Sequence, residues 1–129
     1  MLAIALIVAL TVLLLMATAI IVGRARDKYG IQAPAVAGDP AFERAFRVQA
    51  NTQEAALMFL PVLVLAGWLG DARLAAAFGV CWLLARGWYV VAYLRDAGRR
   101  GPAFALGMLM QSALLVQTLV AIARTALRA

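Results

Sequence analysis

Four long apolar stretches, separated by short polar gaps, organise this chain. The first, Met1 to Val22, carries no charged residue. A helix of that length reaches about 33 Å, enough to cross the hydrocarbon core of a bilayer. It is longer than a signal-peptide apolar region and has no basic residues ahead of it. Ala17-Thr18-Ala19 resembles a cleavage site, but the stretch reads as a spanning helix. Gly23 to Pro40 is a polar connector broken by Gly30, Pro34, Gly38 and Pro40. Asp39-Pro40 has the form of a helix start. The second helix is expected over 41–69, polar at first and nearly pure hydrocarbon from Ala55 onward, with a kink at Pro61. Gly70 to Arg73 forms a turn, a third helix is expected over 74–95, and Asp96 to Pro102 forms the next loop. A fourth helix is expected over 102–125, uncharged from Ala103 to Ala123. Its Gln111, Ser112, Gln117 and Thr118 are suited to hydrogen bonds between helices. The pattern predicts one integral-membrane domain over residues 1–129, an all-α bundle of four antiparallel transmembrane helices.

Composition supports a lipid solvent. Hydrophobic residues make up 66% of the 129 and charged residues 14%, against roughly 45–50% and 25% in soluble domains. The net charge of +6 lies mostly in the gaps between apolar stretches, where the positive-inside rule places it. Nucleic acid is therefore not an expected partner. The first connector and the start of the second helix hold Arg24, Arg26, Lys28, Arg44 and Arg47, and the third loop holds Arg95, Arg99 and Arg100. The second loop holds only Arg73. Loops one and three should thus face the cytoplasm, with both termini opposite. Arg124 and Arg128 run counter to that bias. An abundance of alanine, arginine and leucine points to a GC-rich bacterium, hence to the inner membrane. The sequence has no histidine and a single cysteine, Cys81. Histidine metal sites, Ser-His and Cys-His catalysis, and an internal disulfide are excluded, and no metal is expected.

Candidate chemistry comes from polar residues inside the apolar stretches. A charge there costs about 2.5–3.5 kcal/mol on insertion scales, so each needs a reason. Arg44, Arg47, Asn51 and Glu54 follow i, i+3, i+7, i+10 spacing and share one face of the second helix. Arg86, Tyr89 and Tyr93 share a face of the third. With these helices antiparallel, Arg86 and Glu54 should lie at similar depth and neutralise each other. A purely structural pair would not need the additional arginines, amides and tyrosine hydroxyls. That excess of donors suits a ligand bearing carboxylates.

The stretch Phe42-Glu43-Arg44-Ala45-Phe46-Arg47-Val48-Gln49-Ala50-Asn51-Thr52-Gln53-Glu54 resembles the second-helix signature of the MAPEG superfamily, membrane-associated proteins in eicosanoid and glutathione metabolism. Arg86 to Tyr93 resembles that family's R-x-x-Y-x-x-x-Y stretch, and Asn51-Thr52-Gln53-Glu54 is most similar to its microsomal glutathione transferase branch. Ala55 and Leu57 stand where several relatives carry a tyrosine and a proline.

The resemblance implies a homotrimer that binds glutathione, as cosubstrate, between adjacent subunits. It places Arg47, Asn51, Glu54, Arg86, Tyr89 and Tyr93 on glutathione-contacting positions. Gln49 would act with a neighbouring subunit, and Arg26 would be a further contact, with Arg24 and Lys28 as alternatives. Arg100 would stabilise the glutathione thiolate, with adjacent Arg99 as the alternative. The implied activity is a membrane transferase or peroxidase acting on lipophilic small molecules delivered through the bilayer. Two other classes compete: a lipid- or glutathione-binding scaffold without turnover, and a small proton-coupled drug exporter. Exporters of that kind carry a lone carboxylate in the first helix, and here that stretch is bare.

Overall fold

A computed structural model of the chain describes residues 1–128. Four α-helices carry almost all of it: α1 Leu2–Tyr29, α2 Pro40–Leu69, α3 Ala72–Arg95 and α4 Gly101–Ala126. A short 3-10 turn, Ala97–Arg100, leads into α4. All four helices are long and apolar enough to cross a membrane. At about 1.5 Å per residue even the 24-residue α3 reaches about 36 Å.

Local chemistry sets the ends. Helix α1 runs on to Tyr29 rather than stopping at Val22. Its charged last turns stay helical because Val22 packs with Phe42 and Ala45 of α2, and Ala25, Tyr29 and Ile31 pack around that cluster. Gly30 ends the helix in the left-handed conformation, φ 65°, which glycine adopts without steric penalty. Arg26 and Lys28 sit in that last turn, where positive charge complements the helix dipole. Asp39 caps α2 by accepting from the Ala41 N–H at 2.7 Å, and the Gly38 N–H donates to Glu43 Oε1 at 2.9 Å. Asp71 caps α3 through bonds to Oδ1 from the Arg73 N–H at 2.8 Å and the Leu74 N–H at 3.1 Å. Those donors, Leu74 foremost, hold its carboxyl below the ordinary aspartate range. Helix α2 continues across Pro61.

Helices α2 and α3 each pack against all the other helices, while α1 and α4 barely touch each other. The main core joins Ile4 and Ile7 of α1, Phe59 and Leu63 of α2, Trp82 of α3 and Leu114 of α4. Phe59 and Trp82 stack face to face, with ring centroids 3.7 Å apart. Gly79 admits the close approach of α3: an added Cβ would lie 2.9 Å from Leu63 Cδ1 and 3.1 Å from Ile7 Cδ1. Small residues serve this purpose between membrane helices. Of the polar residues expected to link helices, Thr118 donates to Leu114 O at 2.9 Å and to Val62 O at 3.4 Å. Gln117 Nε2 donates to Asp71 O at 2.7 Å and Ala66 O at 3.4 Å. Gln111 and Ser112 make no such bond among the described residues. Only 22–39% of each apolar window is buried, so most of its surface is left to lipid or to another chain. The protein is an integral, multi-pass membrane protein.

Orientation can be tested on the first connector. Gly38 has φ 152° and an added Cβ there would lie 2.8 Å from Ile31 Cδ1, so exposed Ala37 is the better probe position. In a Cys81→Ser background, Ala37→Cys is expected to react with a membrane-impermeant maleimide only from the cytoplasmic side. Labelling of intact cells from outside would reverse the assigned topology.

Candidate functional site

At the end of the bundle that holds the third loop, α2, α3 and α4 border a common space. They leave a cleft of about 480 Å³ lined by Asn51, Glu54, Arg86, Tyr89 and Arg100. Five residues singled out by sequence, from α2, α3 and the 3-10 turn, thus meet on one concave surface. Helical spacing brings this about: Asn51 and Glu54 lie one turn apart on α2, and Arg86 and Tyr89 one turn apart on α3. The α2–α3 turn then sets the two faces against each other in antiparallel order. Asn51 Nδ2 donates to Tyr89 Oη at 2.9 Å and ties the helices together inside the cleft.

The expected neutralisation of Arg86 by Glu54 does not occur. No ion pair joins them; among the described residues the ion pair is Arg99–Asp96, at 3.6 Å on the surface. Arg86 turns instead to aromatic rings of its own helix. Its guanidinium carbon lies 4.5 Å from the Tyr89 ring centre and 5.5 Å from that of Trp82. Residues i−4 and i+3 flank position i on a helix, so these rings are its nearest available partners. Aromatic faces attract the cation without consuming its N–H donors. Arg86 is 2% exposed, yet its Nε and Nη1 have no hydrogen-bond partner among the described residues. Glu54 is exposed to the cleft.

The remaining predicted residues divide into two groups. Tyr93 adjoins the cleft, its ring 5.6 Å from that of Tyr89, and the Arg100 guanidinium carbon lies 4.9 Å over the Tyr93 ring. Arg100 therefore lines the cleft, whereas Arg99 is turned toward Asp96. Arg47 is exposed one turn before Asn51 on the same face of α2 and does not line the cleft. Gln49 and Arg26 are not brought to it either. Gln49 lies about 200° around α2 from Arg47 at roughly 100° per residue, across the buried stripe of Ala45, Val48, Thr52 and Phe59. Arg26 donates to Ala35 O at 2.8 Å and covers the Phe42 ring at 5.0 Å. Sequence reasoning missed the apolar walls, Met58, Phe104 and Met108. Their signal was present: Met58 follows Glu54 by four residues, and Phe104 and Met108 follow Arg100 by four and eight. A larger cleft, about 780 Å³, opens at the opposite end of the bundle and contains none of these residues. The smaller one gathers the polar residues that the sequence singled out on α2, α3 and the third loop, and the candidate site is placed there.

Fold and site together define a four-helix integral membrane protein with a cationic, amide-bearing cleft beside an apolar wall. Residues 4–120 match the MAPEG family, and the chain belongs to that family. It is similar to an uncharacterised protein of Synechocystis sp., 45% identical over 118 residues, covering 92% of this chain and 86% of that protein. It is similar to microsomal glutathione S-transferase 2 of Homo sapiens, 38% identical over 87 residues, which span 67% of this chain and 59% of the transferase. Leukotriene C4 synthase of Mus musculus is 38% identical over 111 residues, 80% of this chain and 74% of the synthase.

The contribution of the Asn51–Tyr89 bond to stability can be tested. Tyr89→Phe leaves the Asn51 amide without its acceptor and should destabilise the protein by about 1–2 kcal/mol. Asn51→Leu combined with Tyr89→Phe should recover part of that loss in reversible denaturation in detergent micelles. Strict additivity of the two single substitutions would show that the bond contributes nothing.

Proposed function

We propose that this protein is a glutathione-dependent membrane transferase, which holds glutathione as its thiolate for attack on lipophilic electrophiles. The carrying observation is the convergence of Asn51, Glu54, Arg86, Tyr89 and Arg100 on one cleft with an apolar wall. Family membership and the likeness to a protein named as a glutathione S-transferase support the reading. Glutathione presents carboxylates, an ammonium group and a thiol. Arg86, with two partnerless guanidinium nitrogens, suits a carboxylate. Glu54 suits the ammonium, and the Asn51 amide suits the peptide links. Arg47 and Tyr93 extend the same surface. Gln49 and Arg26 lie outside it, and in this reading a neighbouring copy in a homotrimer would supply them.

The reaction requires little further from the protein. A free thiol of this type ionises near pH 8.5, and a guanidinium beside the sulfur favours the anion and lowers that pKa. We assign that role to Arg100, held over Tyr93 at the mouth of the cleft. The thiolate attacks the electrophilic carbon of a substrate lying against Met58, Phe104 and Met108. The C–S bond forms as the carbon's leaving group or π-electron pair is displaced. Reduction of a peroxide would use the same thiolate. A scaffold of the same fold would bind glutathione without ionising it, and this provides the test.

Arg100→Ala is expected to lower kcat tenfold or more, on the order of 1.4 kcal/mol, with glutathione affinity almost unchanged, because the lost interaction acts on the thiolate. The bound thiol should then titrate at higher pH, followed by its ultraviolet thiolate absorbance. Glu54→Ala should instead abolish glutathione binding in calorimetry. If Arg100→Ala leaves turnover and thiol titration unchanged, the catalytic assignment fails. Wild-type affinity in Glu54→Ala removes the binding site.

A further inference from the structure

The larger cleft, at the opposite end of the bundle, lies between the start of α3 and the second half of α4. Its floor is hydrocarbon, with Leu74 and Phe78 of α3 facing Leu109, Val116 and Val120 of α4. Positions 109, 113, 116, 120 and 124 step by three or four, so they form one stripe along α4, and Arg128 follows in the turn just past the helix end and lines the same cleft. The stripe is apolar as far as Val120 and ends in Arg124, and both Arg124 and Arg128 are exposed. These are the two arginines that run against the charge bias of the loops, so topology does not explain them.

Asp71 lines the same cleft. Its Oδ1 accepts the two capping bonds, and Oδ2 makes no hydrogen bond among the described residues. It forms no ion pair with Arg124 or Arg128. Opposite charges thus share one cleft without meeting, above an apolar floor.

We propose that this cleft binds a phospholipid with a primary-ammonium headgroup, of the phosphatidylethanolamine type. Its phosphate lies between Arg124 and Arg128, its ammonium against Asp71 and its acyl chains along the α3–α4 floor. Guanidinium forks match phosphate oxygens with paired hydrogen bonds. The free carboxylate oxygen of Asp71 accepts from an ammonium N–H, which a choline headgroup lacks, and repels a headgroup that is only anionic. Dimensions agree. From Leu109 to Arg124 the stripe extends about 22 Å at 1.5 Å per residue, and one leaflet contributes about 15 Å of the roughly 30 Å hydrocarbon core. The arginines therefore fall at headgroup depth when the floor lies among acyl chains. The site shares no residue with the proposed glutathione cleft, so it stands whatever that cleft does.

The test uses the purified full chain in detergent with equal amounts of phosphatidylethanolamine, phosphatidylcholine and phosphatidylglycerol, with bound lipid identified by native mass spectrometry. The wild type should retain phosphatidylethanolamine in preference to the other two. Arg124→Gln with Arg128→Gln, both at exposed positions, should reduce retention by about tenfold or more, as expected for losing charge-assisted bonds. Asp71→Asn keeps a competent helix cap. It should preserve phospholipid binding but erase the preference, phosphatidylglycerol then binding at least as well. Equal retention of all three lipids by the wild type overturns the proposal. So does undiminished retention by the double arginine variant, or an unaltered preference in Asp71→Asn. A cleft covered by a second copy would retain no lipid, which also overturns it.

Discussion

The hydrocarbon core offers no water to satisfy a backbone N–H or carbonyl, and this constraint governs the molecule. Each crossing must be helical, so side chains are left to distinguish one face from another. Helix α2 shows the consequence most clearly. One stripe, from Phe42 through Ala45, Val48, Thr52, Phe59 and Leu63, is buried against neighbouring helices. A second, through Asn51 and Glu54, opens into the cleft with Met58 below it. Gln49 and Gln53 lie beyond the buried stripe on the other side. One helix thus presents three environments around a single cylinder: a buried stripe, a cleft-lining stripe and a third face beyond them.

Arg86 shows how the same constraint shapes the site. An interior guanidinium paired with a carboxylate would be neutral as a unit and would offer little to an incoming anion. Aromatic faces stabilise the charge while leaving its donors free. The positive charge is thereby kept beside Asn51 and Tyr89, already oriented by their mutual hydrogen bond. Groups fixed in advance need no reorganisation when charge develops beside them, the general condition on which the proposed thiolate stabilisation would draw.

The two ends of the bundle divide the polar work. At one end, arginines and an acid on α2, α3 and the 3-10 turn surround a small cleft. At the other, Asp71 and the end of α4 surround a larger apolar one. Gln117 links that second end together by donating to carbonyls at the close of α2 and at the α2–α3 turn. Both clefts involve α4, which packs against α2 and α3 and barely touches α1. Helix α1 is thus the element least involved in either.

Residue order alone determined the number of crossings, their antiparallel sequence and most helix limits, because each depends on local features. These are apolar length against bilayer thickness, Asp39 and Asp71 as caps, and glycine and proline at the breaks. It also grouped Asn51 with Glu54 and Arg86 with Tyr89, since helical periodicity is fixed before any packing. Tertiary structure decided the rest. Helix α1 extends to Tyr29 because α2 supplies Phe42 and Ala45 for it to pack on, a contact between distant segments that local composition does not encode. Arg86 found Trp82 and Tyr89 rather than Glu54, a choice set by side-chain direction across the α2–α3 interface. The meeting of Arg100 with residues almost fifty positions earlier followed from the same source. Periodicity tells which residues share a face, and only the packed helices show which faces meet.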